Sequence, residues 1–373
     1  MITYFTYIFL LFSLFFLTSE KYNLNNTGEI SFHKKFKINF QMVLSLLLIS
    51  LIVGYRYNVG NDWEGYKDYF LDLHNVPIQF NFFIFEPGYF LFNKIASLLG
   101  FSYQFCFFLF TFFTWYLIYR AVPKEILSLF IFFIFCNELF FWSMNGIRQF
   151  IAIAFLLNAV KYVYKRKVFY FFLSIFLGSL FHQTISIFYL LYFIPTKYFY
   201  NRIIMVFIFL LSLFLGNNEY IISELKSYVE QLSFYLNFGT SYIEGYIYRA
   251  DRFFLAEDVS LGLGYYFIII SNLLIIIFSG NLIKKYPSLK IYFFLFFMGS
   301  ILYNLFNSVH IIQRINQYFL IFKPLILSYY AYYYYYYKNN ELVYYPLFIL
   351  FFLFYMVMIF NSSNMCNPYI MRF

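Results

Sequence analysis

Charged side chains that could bind an anion or move a proton are few in this chain, and they cluster in short stretches. Of the 373 residues, 12% are charged, against about 25% in an average soluble protein. The densest charged stretch is residues 55–70, YRYNVGNDWEGYKDYF. Arg56 supplies a cation for an anionic group and Asp62 a carboxylate that could accept a proton, while Trp63 and Tyr66 could pack against a sugar ring. We therefore predict a ligand site here; the alternative is a solvated loop whose charges do nothing.

Arg148 is a second candidate, in the sequence WSMNGIRQF at the start of an apolar run. A guanidinium forks onto two phosphate oxygens at once, so Arg148 suits a pyrophosphate, and Gln149 offers a further polar contact. The alternative is an arginine that extends to lipid headgroups. Against this, basic residues are disfavoured on the outer side of a membrane, which is where charge bias places Arg148. We predict that it binds phosphate.

His182, in GSLFHQTIS, lies near the middle of a long apolar run. A buried core histidine with satisfied hydrogen bonds is one interpretation. The other is a group that donates to a phosphate or exchanges a proton near neutral pH. Because Gln183 and Thr184 follow it, we predict that His182 is functional.

Carboxylates and a late pair of cations complete the candidate set. Transfer from a diphosphate carrier needs a cation for the leaving phosphate and a base for the attacking hydroxyl, and Asp62 or Glu86 could be that base. His310 and Arg314, in VHIIQRINQYF, are four residues apart and so share a helix face. They could form a second anion contact or extend to headgroups; the sequence favours neither.

Composition determines the class of fold. The chain is 63% hydrophobic with repeated apolar runs of bilayer-spanning length, so we predict an all-α, polytopic integral membrane protein forming a single domain over residues 1–373. Apolar runs predict helices at 2–17, 39–54, 101–119, 126–141, 147–163, 203–216, 265–279, 291–307, 318–337 and 342–360.

Two apolar stretches are ambiguous. Residues 85–99 are short for a span and begin with Glu-Pro-Gly, which suits a re-entrant or interfacial helix. Residues 168–195 form either one long tilted helix or a short hairpin about His182. Basic residues concentrate in short cytoplasmic loops, and the hairpin satisfies this rule better. It gives about 12 transmembrane helices with both termini outside.

This topology places all the candidate residues on or near the outer face. It makes residues 55–84 an outer loop with the charged and aromatic motif. Residues 217–264 form a large outer loop with apolar residues at helical spacing, which could lie on the interface as a lid. An ordinary amphipathic loop helix fits the lid segment equally well.

Several classes are excluded or disfavoured. The net charge is +9, but the basic residues are spread over short loops, so we expect no nucleic-acid partner. The three cysteines form no CxxC, and no P-loop, HExxH or GxSxG motif occurs, so no metal or cofactor is expected. The first apolar run lacks a basic start and a cleavage site, so we expect it to be retained.

Together these motifs resemble the EpsG-like family of Wzy-type bacterial polysaccharide polymerases. The resemblance covers roughly residues 40–320. The chain departs from the family pattern at Asn61, where threonine is common, at Trp63, where tyrosine is common, and at Thr184, where serine is common; the charged positions are intact. The matching residues are Arg56, Gly60, Asn61, Asp62, Trp63, Tyr66, Glu86, Pro87, Gly88, Gly146, Ile147, Arg148, Gln149, Ala152, Phe181, His182, Gln183, Thr184, Arg314, Ile315, Tyr318 and Phe319.

The resemblance implies a glycosyltransferase that makes capsular, exo- or O-antigen polysaccharide. Its donor and acceptor would be undecaprenyl-diphosphate-linked repeat units at the outer leaflet of the bacterial inner membrane, with membrane lipid around it and room for a chain-length-regulating partner protein. No cofactor is implied. In this scheme Arg148 and Arg314 hold pyrophosphate, His182 assists, and Asp62 or Glu86 is the base.

Two further interpretations, beside the polymerase, stay open. A flippase or transporter of lipid-linked oligosaccharide would also grip phosphate with basic residues, although it should show internal repeats or broken helices, and no convincing repeat is present. An O-antigen ligase or a membrane acyltransferase acting on the same glycans is the third possibility.

Overall fold

The structure is a computed structural model in which the chain folds into helices joined by turns. Among the residues it describes, the sole β pairing is an isolated bridge between Arg56 and Met371, so the predicted all-α class is confirmed. The described residues are 2–19, 36–73, 86–195, 200–216, 218, 220, 221, 223, 224, 227, 262–307, 309–361 and 365–372.

The helices follow one another in chain order with few long connections. The first group is α1 (Ile2–Thr18), α2 (Phe40–Gly54), α3 (Trp63–Asp72), α4 (Pro87–Leu98), α5 (Tyr103–Ala121), α6 (Leu127–Cys136), α7 (Leu139–Asn145), α8 (Ile147–Tyr164), α9 (Val168–Ser179) and a 3₁₀ helix (Gln183–Phe193). The remaining helices are α10 (Arg202–Leu215), α11 (Leu263–Lys285), α12 (Lys290–Phe306), α13 (His310–Leu320), α14 (Phe322–Tyr332), which continues as a π-helical turn (Tyr333–Tyr337), and α15 (Glu341–Phe360).

The chain forms two compact units. The first comprises Met1–Ile194 and Pro324–Phe373, and the second comprises Pro195–Lys323. In the first unit α8 packs against both α5 and α9, and every residue of α6 is buried. In the second unit α12 packs against α10 and α13.

The hairpin predicted about His182 is present. After α9 the chain turns and the 3₁₀ helix runs back along it, so that Phe172 stacks on Tyr189 with ring centroids 5.3 Å apart. At the far end, Arg166 Nη1 donates to the Tyr192 carbonyl at 2.9 Å. The packing at the turn is close around Gly178, where a Cβ would lie 2.6 Å from Ile185 Cδ1 and 3.1 Å from Phe155 Cβ.

The helix at residues 85–99 is short. It is α4, whose 12 residues extend about 18 Å, less than the roughly 30 Å of a hydrocarbon core. Its first amide groups are capped by the hairpin: Gly88 N–H and Tyr89 N–H both donate to the Leu180 carbonyl, at 2.8 and 3.3 Å. The re-entrant orientation itself stays a prediction.

Two predicted helices are wrong as drawn. The run 126–141 is not one helix, because α6 ends at Cys136 and α7 starts at Leu139 with a bend of 72°. Two polar residues interrupt the apolar run there, and Glu138 has a left-handed backbone with φ of 66°. The run 318–337 is also divided, since α13 ends at Leu320 and α14 begins at Phe322.

The number of membrane spans is lower than predicted when counted by helix length and apolarity. Among the described residues, four helices are long and apolar enough to cross a membrane, or five if the bent pair α6–α7 is one span. The predicted count of about 12 is not confirmed. The predicted outer loop 55–84 contains α3, and its residues 74–84 lie outside the described residues; so does most of the lid segment 217–264.

Candidate functional site

The centre of the site is an ion pair between Glu86 and Arg148. Arg148 lies in the first turn of α8, and its Nη1 donates to Glu86 Oε2 at 2.6 Å. Glu86 immediately precedes α4 and has a φ of 24°, a conformation that costs an L-residue energy and persists where the surroundings enforce it. The two side chains, 62 residues apart in the chain, thus meet at the ends of two helices.

His182 joins this pair from the tip of the hairpin. Its Nδ1 lies 3.5 Å from Glu86 Oε1 and 3.1 Å from the Thr184 hydroxyl. The backbone N–H of Gln183 also donates to the Glu86 carboxylate. Because Leu180 caps α4 in the same turn, the hairpin tip and the start of α4 are held together by the backbone as well as by side chains.

Two tyrosines form a wall of the site. The Arg148 guanidinium lies 5.8 Å from the centroid of the Tyr66 ring and 5.4 Å from that of Tyr89, within range of a cation–π interaction. Arg148 also donates a hydrogen bond to the Tyr66 hydroxyl. Burial raises the pKa of the Tyr66 phenol, so that this hydroxyl stays protonated at neutral pH.

The charged groups of the site lie close together, and their side chains are only partly exposed. Burial raises the pKa of Glu86, while Arg148 and the Gln183 N–H oppose that rise. The side chains of Arg148 and His182 are 31% and 25% exposed, whereas Glu86 is 11% exposed. Arg148 Nε is buried and has no hydrogen-bond partner in the described part of the chain. The guanidinium and the imidazole therefore reach the opening, and the carboxylate lies behind them.

The residues of the 55–70 stretch are divided between this opening and the interior. Asp62 is half-buried at the start of α3 and close enough to Tyr66 to influence its titration. Trp63 is buried, and its indole N–H donates to the Arg56 carbonyl at 3.0 Å. The indole face is therefore packed inside the protein. Gln149 is buried as well.

Arg56 is fully buried and bonded to the main chain. Its guanidinium donates to the carbonyls of Val53, Val59 and Met144, and it lies 5.2 Å from the centroid of Phe107. These bonds tie the end of α2 to the end of α7, just before Arg148. Arg56 thus holds the backbone beneath the opening, which residue type alone did not reveal.

A comparison with known families shows which family the chain belongs to. The model of the EpsG family matches residues 39–371, which include every candidate residue named above. The chain belongs to the EpsG family. Comparisons with curated proteins and with solved structures find no match. Membership of the EpsG family makes this a membrane protein of polysaccharide biosynthesis.

The match to the EpsG family extends to a C-terminal segment that sequence reasoning missed. Residues 365–372, here called the C-terminal strap, lie along the loop that precedes α3. Gly60 N–H donates to the Met365 carbonyl at 3.0 Å, Tyr57 N–H to Ile370 at 2.8 Å, and Arg372 N–H to Tyr55 at 3.0 Å. No periodicity or motif in the sequence indicates this pairing. The strap fixes the backbone of the loop that leads to Asp62 and Tyr66.

The last two candidates of this EpsG-family chain lie in the second unit. Arg314 is exposed on α13, which begins at His310, and the side chain of His310 lies outside the described residues. The helical backbone confirms that the two positions lie one turn apart on one face. Their predicted contact with an anion stays a prediction.

Proposed function

We propose that this EpsG-family protein is a polysaccharide polymerase. It joins undecaprenyl-diphosphate-linked repeat units into capsular, exo- or O-antigen polysaccharide at the outer leaflet of the bacterial inner membrane. The observation that supports this most is the convergence of Arg148, Glu86 and His182 from three separate segments on one partly open site. A cation beside acid–base groups is what transfer from a diphosphate carrier requires.

Arg148 binds the diphosphate and stabilises its charge. One nitrogen of its guanidinium is held by Glu86, which fixes the plane of the fork, and the side chain is 31% exposed. In the reaction the bond between the anomeric carbon and the diphosphate oxygen breaks, and its electron pair leaves with the polyprenyl diphosphate. A guanidinium already in place stabilises that charge without reorganisation.

His182 is the base that accepts the proton of the acceptor hydroxyl. Since Nδ1 faces Glu86 and Thr184, we assign the Nδ1–H tautomer from this hydrogen-bond pattern. Nε2 then carries the lone pair. It takes the proton of the acceptor hydroxyl as that oxygen bonds to the anomeric carbon, and later releases it to solvent. Glu86 stabilises the imidazolium that forms between these two steps.

Charge placement along α8 supports an outward-facing site. Arg148 lies at one end of this helix, and Lys165, Arg166 and Lys167 form the turn after its other end. These ends are about 24 Å apart, comparable to the thickness of a hydrocarbon core. Basic turns favour the cytoplasmic side, so the opposite end, with the site, is outermost.

Replacement of Arg148 tests the proposal. Arg148→Ala should lower the rate of chain extension at least about 100-fold, because the leaving diphosphate loses its cation, and Arg148→Lys should recover only part of it because a point charge cannot fork. The measurement is polymer length on gels from membranes with equal protein abundance. Arg120→Ala, which removes an exposed arginine at the end of α5, is the matched control.

A deletion strain separates the proposal from its alternatives. Loss of a polymerase leaves single capped repeat units, loss of a flippase traps units inside the cell, and loss of a ligase leaves full chains on the lipid carrier. Long chains made by Arg148→Ala would remove Arg148 from the mechanism.

A further inference from the structure

The exposed side of the hairpin carries an apolar groove. The groove has a volume of about 410 Å³ and lies between α9 and the 3₁₀ helix. Its lining is almost entirely aromatic: Phe169, Phe172, Leu173, Phe176 and Tyr189.

The shape of the groove follows from the three-residue repeat of the 3₁₀ helix. In such a helix side chains three apart are eclipsed, so its residues form three rows. The row Ile185, Phe188 and Leu191 is buried. In the second row Tyr189 and Tyr192 pack on Phe172 of α9. The third row is exposed and apolar, and it consists of Ile187, Leu190 and Phe193. The long 3₁₀ segment thus fixes one aromatic wall and leaves an apolar ridge beside it.

The groove extends along α9 between the basic turn and the candidate site. Phe169 lies two residues after Lys167, at the start of α9. Phe176 lies one helical turn before Ser179, where α9 ends below the tip that carries His182. An amphiphile in the groove would therefore have its chain along α9 and its head beside the imidazole and guanidinium.

We propose that this groove binds the isoprenoid chain of the lipid-linked donor, with the diphosphate held at Arg148. The inference rests on the proposed function, and it identifies where the lipid part of the substrate lies. Charge complementarity supports this occupant, because the polar groups stand at one end of the groove and its length is apolar. A membrane acyl chain has no diphosphate at its end to contact Arg148, whereas a polyprenyl diphosphate carries its charge directly at the end of the chain.

Selection of one apolar chain over another in a membrane depends on packing. Lipid is as apolar as the groove, so the hydrophobic effect does not distinguish them, and dispersion contacts with a fitted wall do. The rings of Phe172 and Tyr189 are fixed by stacking 5.3 Å apart, so they form a rigid surface. Flat, methyl-branched isoprene units match such rings better than flexible acyl chains do.

Two leucines on α9 provide a matched pair of variants. Leu173 lines the groove and is 38% exposed, while Leu177 is one turn further on, outside the lining, and 37% exposed. Leu173→Trp fills the groove with an apolar ring and should raise KM for the undecaprenyl-linked donor about tenfold with kcat little changed. Leu177→Trp should change neither. With a dimethylallyl-linked donor, whose single isoprene unit is shorter than the about 9 Å of helix between Ser179 and Leu173, all three proteins should show the same KM.

A photoreactive probe gives a readout that does not depend on polymerisation. We would use an undecaprenyl diphosphate with a diazirine in its chain, on the full-length protein in nanodiscs. We expect crosslinks on α9 and the 3₁₀ helix that Leu173→Trp removes and Leu177→Trp keeps. If the two variants behave alike, or if crosslinks spread over all lipid-facing helices, ordinary lipid covers the groove and the inference is overturned. Crosslinks in the groove without any polymer synthesis would support the groove and contradict the polymerase.

Discussion

Glu86 is the side chain on which the site depends most, because it contacts both other ionisable groups. It binds Arg148 through one oxygen and faces His182 with the other. A buried carboxylate without a partner is costly, and Arg148 offsets this cost in the free protein. If the proposed diphosphate substrate competes for Arg148, the Gln183 N–H and the imidazole still contact Glu86. The carboxylate can therefore release part of the guanidinium to the substrate without losing all its partners.

The choice of base can be tested by two substitutions. His182→Gln keeps a polar side chain but removes the basic nitrogen, and we expect the initial rate of transfer to fall at least about 100-fold. Asp62→Asn should lower it less than about tenfold, because in the proposed mechanism His182 accepts the proton. The measurement uses purified protein with donor and acceptor repeat units. A larger loss in Asp62→Asn than in His182→Gln would make Asp62 the base.

The pKa of Glu86 predicts how stability depends on pH. Burial raises this pKa above the usual value of 4.5, so the folded state keeps the proton to a higher pH than the unfolded chain. The folded state then binds more protons, and its stability falls as pH rises through the window above 4.5. Glu86→Gln lacks this component, so the melting temperature of the wild type relative to Glu86→Gln should decrease from pH 4.5 towards neutrality. A constant difference across that range would contradict the prediction.

Among the elements, the hairpin and the C-terminal strap differ in how well the sequence predicts them. The hairpin was predictable because a run too long for one span has polar residues at its middle and basic residues at its ends. The strap was not, because its contacts join distant residues without a repeating pattern: the Tyr369 hydroxyl donates to the Ile52 carbonyl 317 residues away. The break at Glu138 was missed because two polar residues in an apolar run weaken the helical pattern only slightly.

Close packing of the hairpin on α8 is testable with two glycines. A Cβ at Gly178 would lie 2.6 Å from Ile185 Cδ1 and 3.1 Å from Phe155 Cβ, whereas one at Gly65 in α3 would meet nothing within 4 Å. Gly178→Ala should therefore destabilise the protein by about 1–3 kcal/mol and lower transfer activity, because the displaced tip carries His182. Gly65→Ala should stabilise by about 0.5–1 kcal/mol. Thermal unfolding in detergent measures both, and equal effects would show that the hairpin tolerates displacement.

For the whole molecule, composition predicts the membrane class but not which charged residues face a ligand. Arg56 and Trp63 share a stretch with Asp62 and Tyr66, and their residue types suggest the same role. The structure instead places Arg56 and Trp63 in the interior, bonded to carbonyls. The predicted count of about 12 spans is not confirmed, because hydropathy alone does not distinguish short and bent apolar helices from full spans.

The proposed outward-facing site requires that its residues lie on one side of the membrane and the basic turn after α8 on the other. The native cysteines Cys106, Cys136 and Cys366 are all buried, so a membrane-impermeant maleimide should label the wild type weakly. Introduced cysteines at exposed Asn61 and Gln183, beside the site, should be labelled in intact cells. Lys167→Cys, also exposed, should be labelled only after permeabilisation, because about 24 Å of helix separates it from Arg148. Labelling of Asn61→Cys and Gln183→Cys from opposite sides would separate the loop from the hairpin tip, and a shared site at the outer leaflet could not exist.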